Sequence, residues 1–399
     1  MADKNTQTRR EVKSVKKALG MIVRSLDSET ELMGFVENAE KYGHKLDCVI
    51  VAYTHQHDPQ VENSIRQKLP IYTVDINDPQ YCKEQMQHRG VSTSAVKEML
   101  ECPIDTTGGL VPYGFNRMMV VMEAILRGMD TLFFIDSDVY PRALIRKHDK
   151  IALEEIDFFG AHLDYLNSGS QVTTGEYSGY NILPHASFKG MTDLLAGVQK
   201  SSMQEYWEES ETHRCLMIQK ENKEAKPCKK VLGGNMAIKL SAFSKLPPFF
   251  SSYYTVDGEV FLCRGEDTVL GQEIAKGGIK CTDIGLNPLH DTYKNYPVEP
   301  NLHEDRSTQE RFYYACTGWV GRNPFFNYIL GNDIKATREY QREHLELGLK
   351  ALADYTKNPK FLKILRNFDI SWDDLDRYIN EFERVSEAWE NFKRGVNLK

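Results

Sequence analysis

The sequence predicts an α/β fold with a mostly parallel central sheet, followed by an all-α C-terminal region. Three observations carry that reading. From Lys17 onward short apolar runs alternate with amphipathic stretches. One run, Phe133-Phe134-Ile135, passes straight into Asp136-Ser137-Asp138, and past about residue 300 only helical periodicity remains.

In chain order, Leu19 to Leu26 reads as a strand, Thr30 to Tyr42 as an amphipathic helix and Leu46 to Tyr53 as a second strand. A helical stretch around Gln60 to Lys68 and the run Ile71 to Val74 extend the alternation into a Rossmann-like half. Phe115, Met118, Met119, Met122, Ile125 and Leu126 recur at helical spacing, and Gly128 closes that helix before the strand Thr131 to Ile135. Ile156 to Leu163 reads as a further strand, and Asn167 to Gly179, rich in Ser, Thr and Gly, as a surface loop near the site. Strand character returns at Val231 and at Ala237 to Leu240. A helix from about Thr268 to Ala275 stops at Gly277-Gly278, and Lys280 to Ile284 is a last strand.

The expected organisation is a polar tail over 1–16, a catalytic domain over 17–300 and a helical region over 301–399. In that last region Leu345, Leu349 and Leu352, then Trp372, Leu375, Ile379, Phe382 and Trp389, mark apolar helix faces. Ser371 with Asp374 reads as a capping-box-like start of the final helix. These helices could dock on the catalytic domain, form a homodimer or touch a membrane surface; the acids Asp373, Asp374, Asp376, Glu381 and Glu383 on the polar face argue against anionic lipid.

With 399 residues, 41% of them hydrophobic, the chain can bury a sizeable core. A net charge of −7 provides no global field for nucleic acid, so no nucleic-acid partner is expected. No stretch approaches the ~18 apolar residues of a transmembrane segment, and the N-terminus lacks the apolar core of a secretory signal. Eight scattered cysteines without a C-x-x-C pair read as reduced thiols. The expectation is a cytoplasmic protein, free or peripheral to a membrane.

The chemistry concentrates at a few positions. A parallel strand ending in Asp136-Ser137-Asp138 delivers two hard oxygen ligands to the C-terminal edge of the sheet, where a divalent cation fits; the same acids could simply open a turn before Pro141. Gly233-Gly234-Asn235 precedes a strand and could bring backbone close to a substrate through positive φ. Arg264-Gly265-Glu266-Asp267 puts two acids at a helix start, where the helix dipole keeps them ionised; capping alone would also account for them. His290 lies in a loop after the last strand as a potential metal ligand, and Asn116-Arg117 opens a helix where a guanidinium could meet phosphate.

In this order the elements resemble the GT-A glycosyltransferase superfamily, in particular its family-2-like members, over roughly residues 17 to 295. The resemblance implies a Rossmann-like GT-A fold, a Mn2+ or Mg2+ cofactor, a UDP- or GDP-sugar donor and a carbohydrate or glycoconjugate acceptor. It makes Asp138 a direct metal ligand, Asp136 its partner near the donor's ribose or the metal, His290 the third protein ligand and Asp267 the catalytic base, with Glu266 beside it. Arg117, Asn116, Gly234 and Asn235 fall to the donor. The usual aspartate after the second strand is absent, since Ala52-Tyr53-Thr54-His55 stands there; Asp75, after the third strand, is the substitute for the nucleoside.

The expected activity is transfer of a hexose-type sugar to a hydroxyl with inversion. A retaining enzyme of the same fold and a non-catalytic sugar-binding module are the alternatives. Tyr177, Tyr180 and Trp319 are the aromatic candidates for the acceptor, although core packing between domains is the favoured reading of Trp319 and its aromatic neighbours. A haloacid-dehalogenase-type phosphatase fits poorly, because its acidic strand normally opens the domain.

Overall fold

In the computed structural model, residues 14–210, 214–219 and 224–398 are described; most of the basic tail expected over 1–16 lies outside them. The main sheet comprises β1 (Lys17–Leu26), β2 (Cys48–His57), β3 (Ile71–Asp75), β4 (Thr131–Asp136), β5 (Val172–Thr174), β6 (Lys226–Pro227), β7 (Asn235–Lys239) and β8 (Cys281–Asp283). Their spatial order is β6-β8-β5-β7-β4-β1-β2-β3. Strands β3, β2, β1 and β4 are parallel, β7 runs antiparallel between β4 and β5, and β8 is parallel to β5.

Helices surround this sheet: α1 (Thr30–Lys41), α2 (Pro59–Arg66), α3 (Gln80–His88), α4 (Thr93–Leu100), α5 (Tyr113–Leu126), α6 (Phe158–Asn167), α7 (Met191–Gly197), α8 (Met203–Glu209) and α9 (Glu266–Lys276). The C-terminal helices are α10 (Arg306–Leu330), α11 (Ile334–Thr356), α12 (Ile364–Asp373) and α13 (Leu375–Gly395). The expected α/β architecture, with a helical C-terminal region, is what forms. No helix among the described residues is long and apolar enough to cross a membrane.

Strand parity sorts the core. Leu19 and Met21 of β1 with Phe133 and Ile135 of β4 join Phe35 of α1 and Phe159 of α6 on one face. Ala18, Ile22, Leu132 and Phe134 meet Met118, Met119 and Met122 of α5 on the other. Asp136 therefore ends β4 on the α5 side, where Arg117 waits. Gly20 makes the close packing possible, since a Cβ there would lie 2.7 Å from Val120 of α5.

Four expectations need correction. Ile156 to Leu163 is no strand: Asp157 accepts from the Gly160 amide and caps α6, which buries Phe158, His162 and Leu166 at helical spacing. The supposed loop Asn167 to Gly179 contains the buried strand β5, whose threonines satisfy the polar pattern inside the sheet. Val231 lies outside any strand. Ser371 does not start the last helix; it is buried inside α12, its hydroxyl donating to the Val320 and Phe368 carbonyls, and the chain turns at Asp374.

The C-terminal helices spend their apolar faces within the chain. Trp389 packs on Phe243 and donates to the Leu246 carbonyl, while Phe382 meets Phe250 and Phe325. Trp372 and Leu375 are buried. The stripe considered for a homodimer or a membrane contact is thus covered by its own protein, because burying it against the α/β segment removes more apolar surface from water than exposure allows.

His162 shows how polar groups are accommodated. It is fully buried between Thr173 Oγ1 (2.8 Å) and Asn235 Oδ1 (3.2 Å). Burial lowers its pKa from 6.5 to about 4. The unfolded chain binds this proton near 6.5 and the folded chain only near 4, so stability falls as pH drops through that window. The loss is about 3 kcal/mol in all. Urea unfolding at intervals from pH 7 to 4 should show this slope in the wild type and a flatter one in His162→Gln; identical slopes would contradict the assignment.

Candidate active site

The site is built at the C-terminal end of β4, and its centre is Arg117. This guanidinium, from the first turn of α5, is 2% exposed. It donates from Nη2 to Asp136 Oδ1 (2.6 Å), from Nε to Glu266 Oε1 (2.9 Å) and from Nη1 to the Gly233 carbonyl (2.9 Å). One side chain thus ties α5, β4, α9 and the loop before β7. Burial works against its charge, yet Asp136 and Glu266 together raise its pKa above the ordinary arginine value. For Glu266, burial and the neighbouring Asp267 charge push the carboxyl up despite Arg117.

These contacts revise several sequence-based roles. Arg117 faces the protein's own acids instead of a phosphate, and Glu266 turns inward as its anchor instead of facing substrate. Asn116 is fully buried, and both polar atoms of its side chain lack partners. Asn235 is also buried, donating to the Glu176 and Leu286 carbonyls and so pinning two loops together. Neither asparagine is accessible to a donor.

Gly233 and Gly234 do not adopt positive φ. They are small because the protein crowds them. A Cβ on Gly233 would lie 2.4 Å from Arg117 Nη2, and one on Gly234 would lie 2.5 Å from Asp136 Oδ2 and 2.7 Å from the Tyr177 hydroxyl. Tyr177 accepts from the Gly234 amide (3.0 Å) and lies against His290, ring centroids 4.5 Å apart. Burial and the charges of Asp136 and Asp267 raise its phenol well above the usual range, which keeps it a neutral hydroxyl.

Asp138 and His290 come together as expected. The strand Val139–Tyr140 pairs with Leu289–His290, and His290 Nε2 stands 3.1 Å from Asp138 Oδ1. Burial opposes the Asp138 charge, but His290 and Arg311 hold its pKa down at about 2. Burial also opposes the His290 charge, and Asp138 overrides it and raises the imidazole. Two donor atoms each about 2.1 Å from one ion in adjacent positions are about 3 Å apart, so this spacing suits a divalent cation. Thr292 Oγ1, 3.1 Å from His290 Nδ1, orients the ring as a metal-ligating histidine requires.

The three-residue ligand set needs correction, however. Among the described residues no group of three His, Cys, Asp or Glu side chains is arranged to hold a metal ion, and Asp136 is paired with Arg117 instead.

Asp267 sits partly exposed at the start of α9, its Oδ2 accepting from the Gly233 amide (3.1 Å) and its Oδ1 from the Thr268 amide (2.6 Å). Asp75 ends β3, bonded to the Asn77 amide at 2.9 Å. It is three strands from Asp136, a span of roughly 14 Å. Tyr180 is partly exposed, with its hydroxyl 3.4 Å from the Pro297 carbonyl. Trp319 is a core residue beside Phe312, so packing claims most of its surface.

Sequence reasoning missed three cations. Arg311 of α10 reaches Asp138 Oδ2 at 3.4 Å, and a partly exposed Lys200 and a buried Arg322 lie near Asp267. Arg322 sits within an aromatic, small-residue helix that reads as core, and only the packing of α10 against α9 reveals it.

Arg117→Met should destabilise the fold by about 3–5 kcal/mol, because Asp136 and Glu266 lose their counter-charge. Adding Glu266→Gln should recover part of that loss. A denaturant double-mutant cycle measures it, and simple additivity would contradict the coupling.

No family model matches this chain, and no curated protein matches it. Solved structures do match. Glucosyl-3-phosphoglycerate synthase from Mycobacterium tuberculosis in complex with phosphoglyceric acid aligns at 11% identity and a TM-score of 0.41, covering 80% of this chain and 81% of that one. The same enzyme with Mn2+, uridine-diphosphate-glucose and phosphoglyceric acid aligns at 12% identity and a TM-score of 0.41, with the same coverage. A structure described as a mycobacterial protein aligns at 12% identity and a TM-score of 0.37, covering 76% of this chain and 75% of that one. At this distance the chemistry of the site rests on its own geometry.

Proposed function

We propose that this chain is a metal-dependent glycosyltransferase that moves a hexose-type sugar from a UDP- or GDP-sugar to a hydroxyl of a carbohydrate or glycoconjugate, with inversion. The observation that carries the reading is the pair Asp138 and His290, 3.1 Å apart at the C-terminal end of β4, with the carboxylate of Asp267 in the same site.

Asp138 and His290 would hold Mn2+ or Mg2+, with the donor's phosphate oxygens completing the coordination. The ion, when bound, offsets the negative charge that grows on the departing nucleoside diphosphate. The remaining work belongs to the protein. Arg117 keeps Asp136 fixed at the strand end, and Tyr177 stays protonated beside it as a hydroxyl that can donate toward substrate. Asp75, at the far side of the parallel half, is placed to meet the nucleoside. Asp267, whose oxygens accept from the Gly233 and Thr268 amides, takes the proton of the attacking hydroxyl as it approaches the anomeric carbon from the side opposite the leaving group.

Asp138→Ala should weaken Mn2+-dependent binding of the nucleotide sugar in calorimetry. Asp267→Asn should leave that binding nearly intact while lowering turnover by about 10²–10⁴-fold. Full transfer activity in Asp267→Asn would end its assignment as base. Donor binding that is indifferent to Mn2+ in the wild type would end the metal assignment.

A further inference from the structure

On the footing of that transferase reading, we propose that Lys200, Arg322 and Arg264 form a subsite beside Asp267 for an anionic group, a phosphate or a carboxylate, carried by the acceptor. Lys200 follows α7 directly after Gln199, whose φ of 55° is a left-handed conformation that a non-glycine residue adopts at some cost. Gln199 is locked there by hydrogen bonds with Asn327 and Gln341. The turn presents the Lys200 ammonium 5.0 Å from the Trp319 ring centroid, and among the described residues no hydrogen-bond acceptor meets it.

Arg322, from α10, is 5% exposed. Its Nη2 donates to Asn323 Oδ1 at 2.8 Å, and its buried Nε has no partner among the described residues. Gly265 makes room for it: a Cβ there would lie 2.7 Å from Arg322 Cδ. Arg264 adds a third guanidinium without a carboxylate partner among the described residues.

Asp267 is the acid whose charge acts on both Lys200 and Arg322, yet it makes no ion pair with either, its oxygens being taken by the Gly233 and Thr268 amides. Positive charge is therefore buried at Arg322 and partly buried at Lys200, with no ion-pair partner for either among the described residues. Burial, with Arg322 nearby, lowers the Lys200 pKa to about 7, and burial lowers that of Arg322 to about 10. Such charges destabilise a fold unless an anion relieves them. The cations that act most on Asp138 are others, His290, Arg311 and Lys294. Its alignment with the base Asp267 places the anion on the acceptor instead of on the donor diphosphate.

Titration with inorganic phosphate, followed by calorimetry and by thermal unfolding, tests the subsite directly. Wild type should bind phosphate and gain stability from it. Lys200→Met should unfold at an equal or higher temperature without phosphate and bind it about tenfold or more weakly; Lys200→Arg should retain binding, as should Asp138→Asn. Phosphate affinity unchanged in both Lys200→Met and Arg322→Met would overturn the proposal.

Transfer assays then compare a phosphorylated polyol, a hydroxy carboxylic acid and their neutral counterpart. A KM for the preferred anionic acceptor that rises about tenfold in Lys200→Met supports the subsite and names the group. Equal use of the neutral acceptor, with the same loss in Lys200→Met, overturns it. Phosphate binding that depends on Lys200 with no transfer to any acceptor would sink the transferase reading and leave the anion site standing.

Discussion

The structure turns on one arginine. Arg117 is buried at the start of α5 and spends its guanidinium on two carboxylates and a carbonyl from three separate segments. A buried charge persists only if its donors are satisfied, and a planar fork with fixed directions dictates where its acceptors must be. The end of β4, the start of α9 and the glycine loop before β7 are therefore held in one arrangement. That arrangement brings Asp136, Asp267 and Tyr177 into each other's electrostatic reach.

Around this clamp, two charge systems have opposite character. The Asp138 side is compensated: a carboxylate faces an imidazole and a guanidinium, and each favours the charge of the other. On the Asp267 side a buried Arg322 and a partly exposed Lys200 have no ion-pair partner among the described residues, and burial lowers the pKa of both. A fold with no use for that imbalance would be more stable with apolar side chains there. The C-terminal helices thus have two tasks: they cover apolar surface with Trp389 and Phe382, and through Arg311 and Arg322 they furnish charge to the site.

Much of the α/β plan was legible because strand and helix periods differ so clearly. The alternation from Leu19 to Ile135 produced strands and helices within a few residues of expectation. It failed where a short apolar run had no length to separate the two periods, as at Phe158-Phe159, and where buried threonines made β5 look like a loop. The acidic residues at the end of β4 and at the start of α9 were legible as positions, since they stand where a strand ends and a helix begins. Their partners were not. Nothing local distinguishes Arg117 as a clamp from Arg117 as a phosphate ligand, or Asn235 as a pin from Asn235 as a donor contact.

The sequence by itself determined the strand and helix periods, the place where a strand runs into acid, and the apolar faces of the last helices. These depend on side-chain spacing along one segment, which period and polarity express directly. Tertiary structure alone decided which acid meets which base: that Asp138 pairs with His290 across a short two-stranded contact, that Glu266 turns inward, and that cations from the turn after α7 and from α10 lie near Asp267. Those outcomes depend on distances between residues far apart in the chain. Electrostatic energy follows such distances and the burial around them, and neither is written in any single segment.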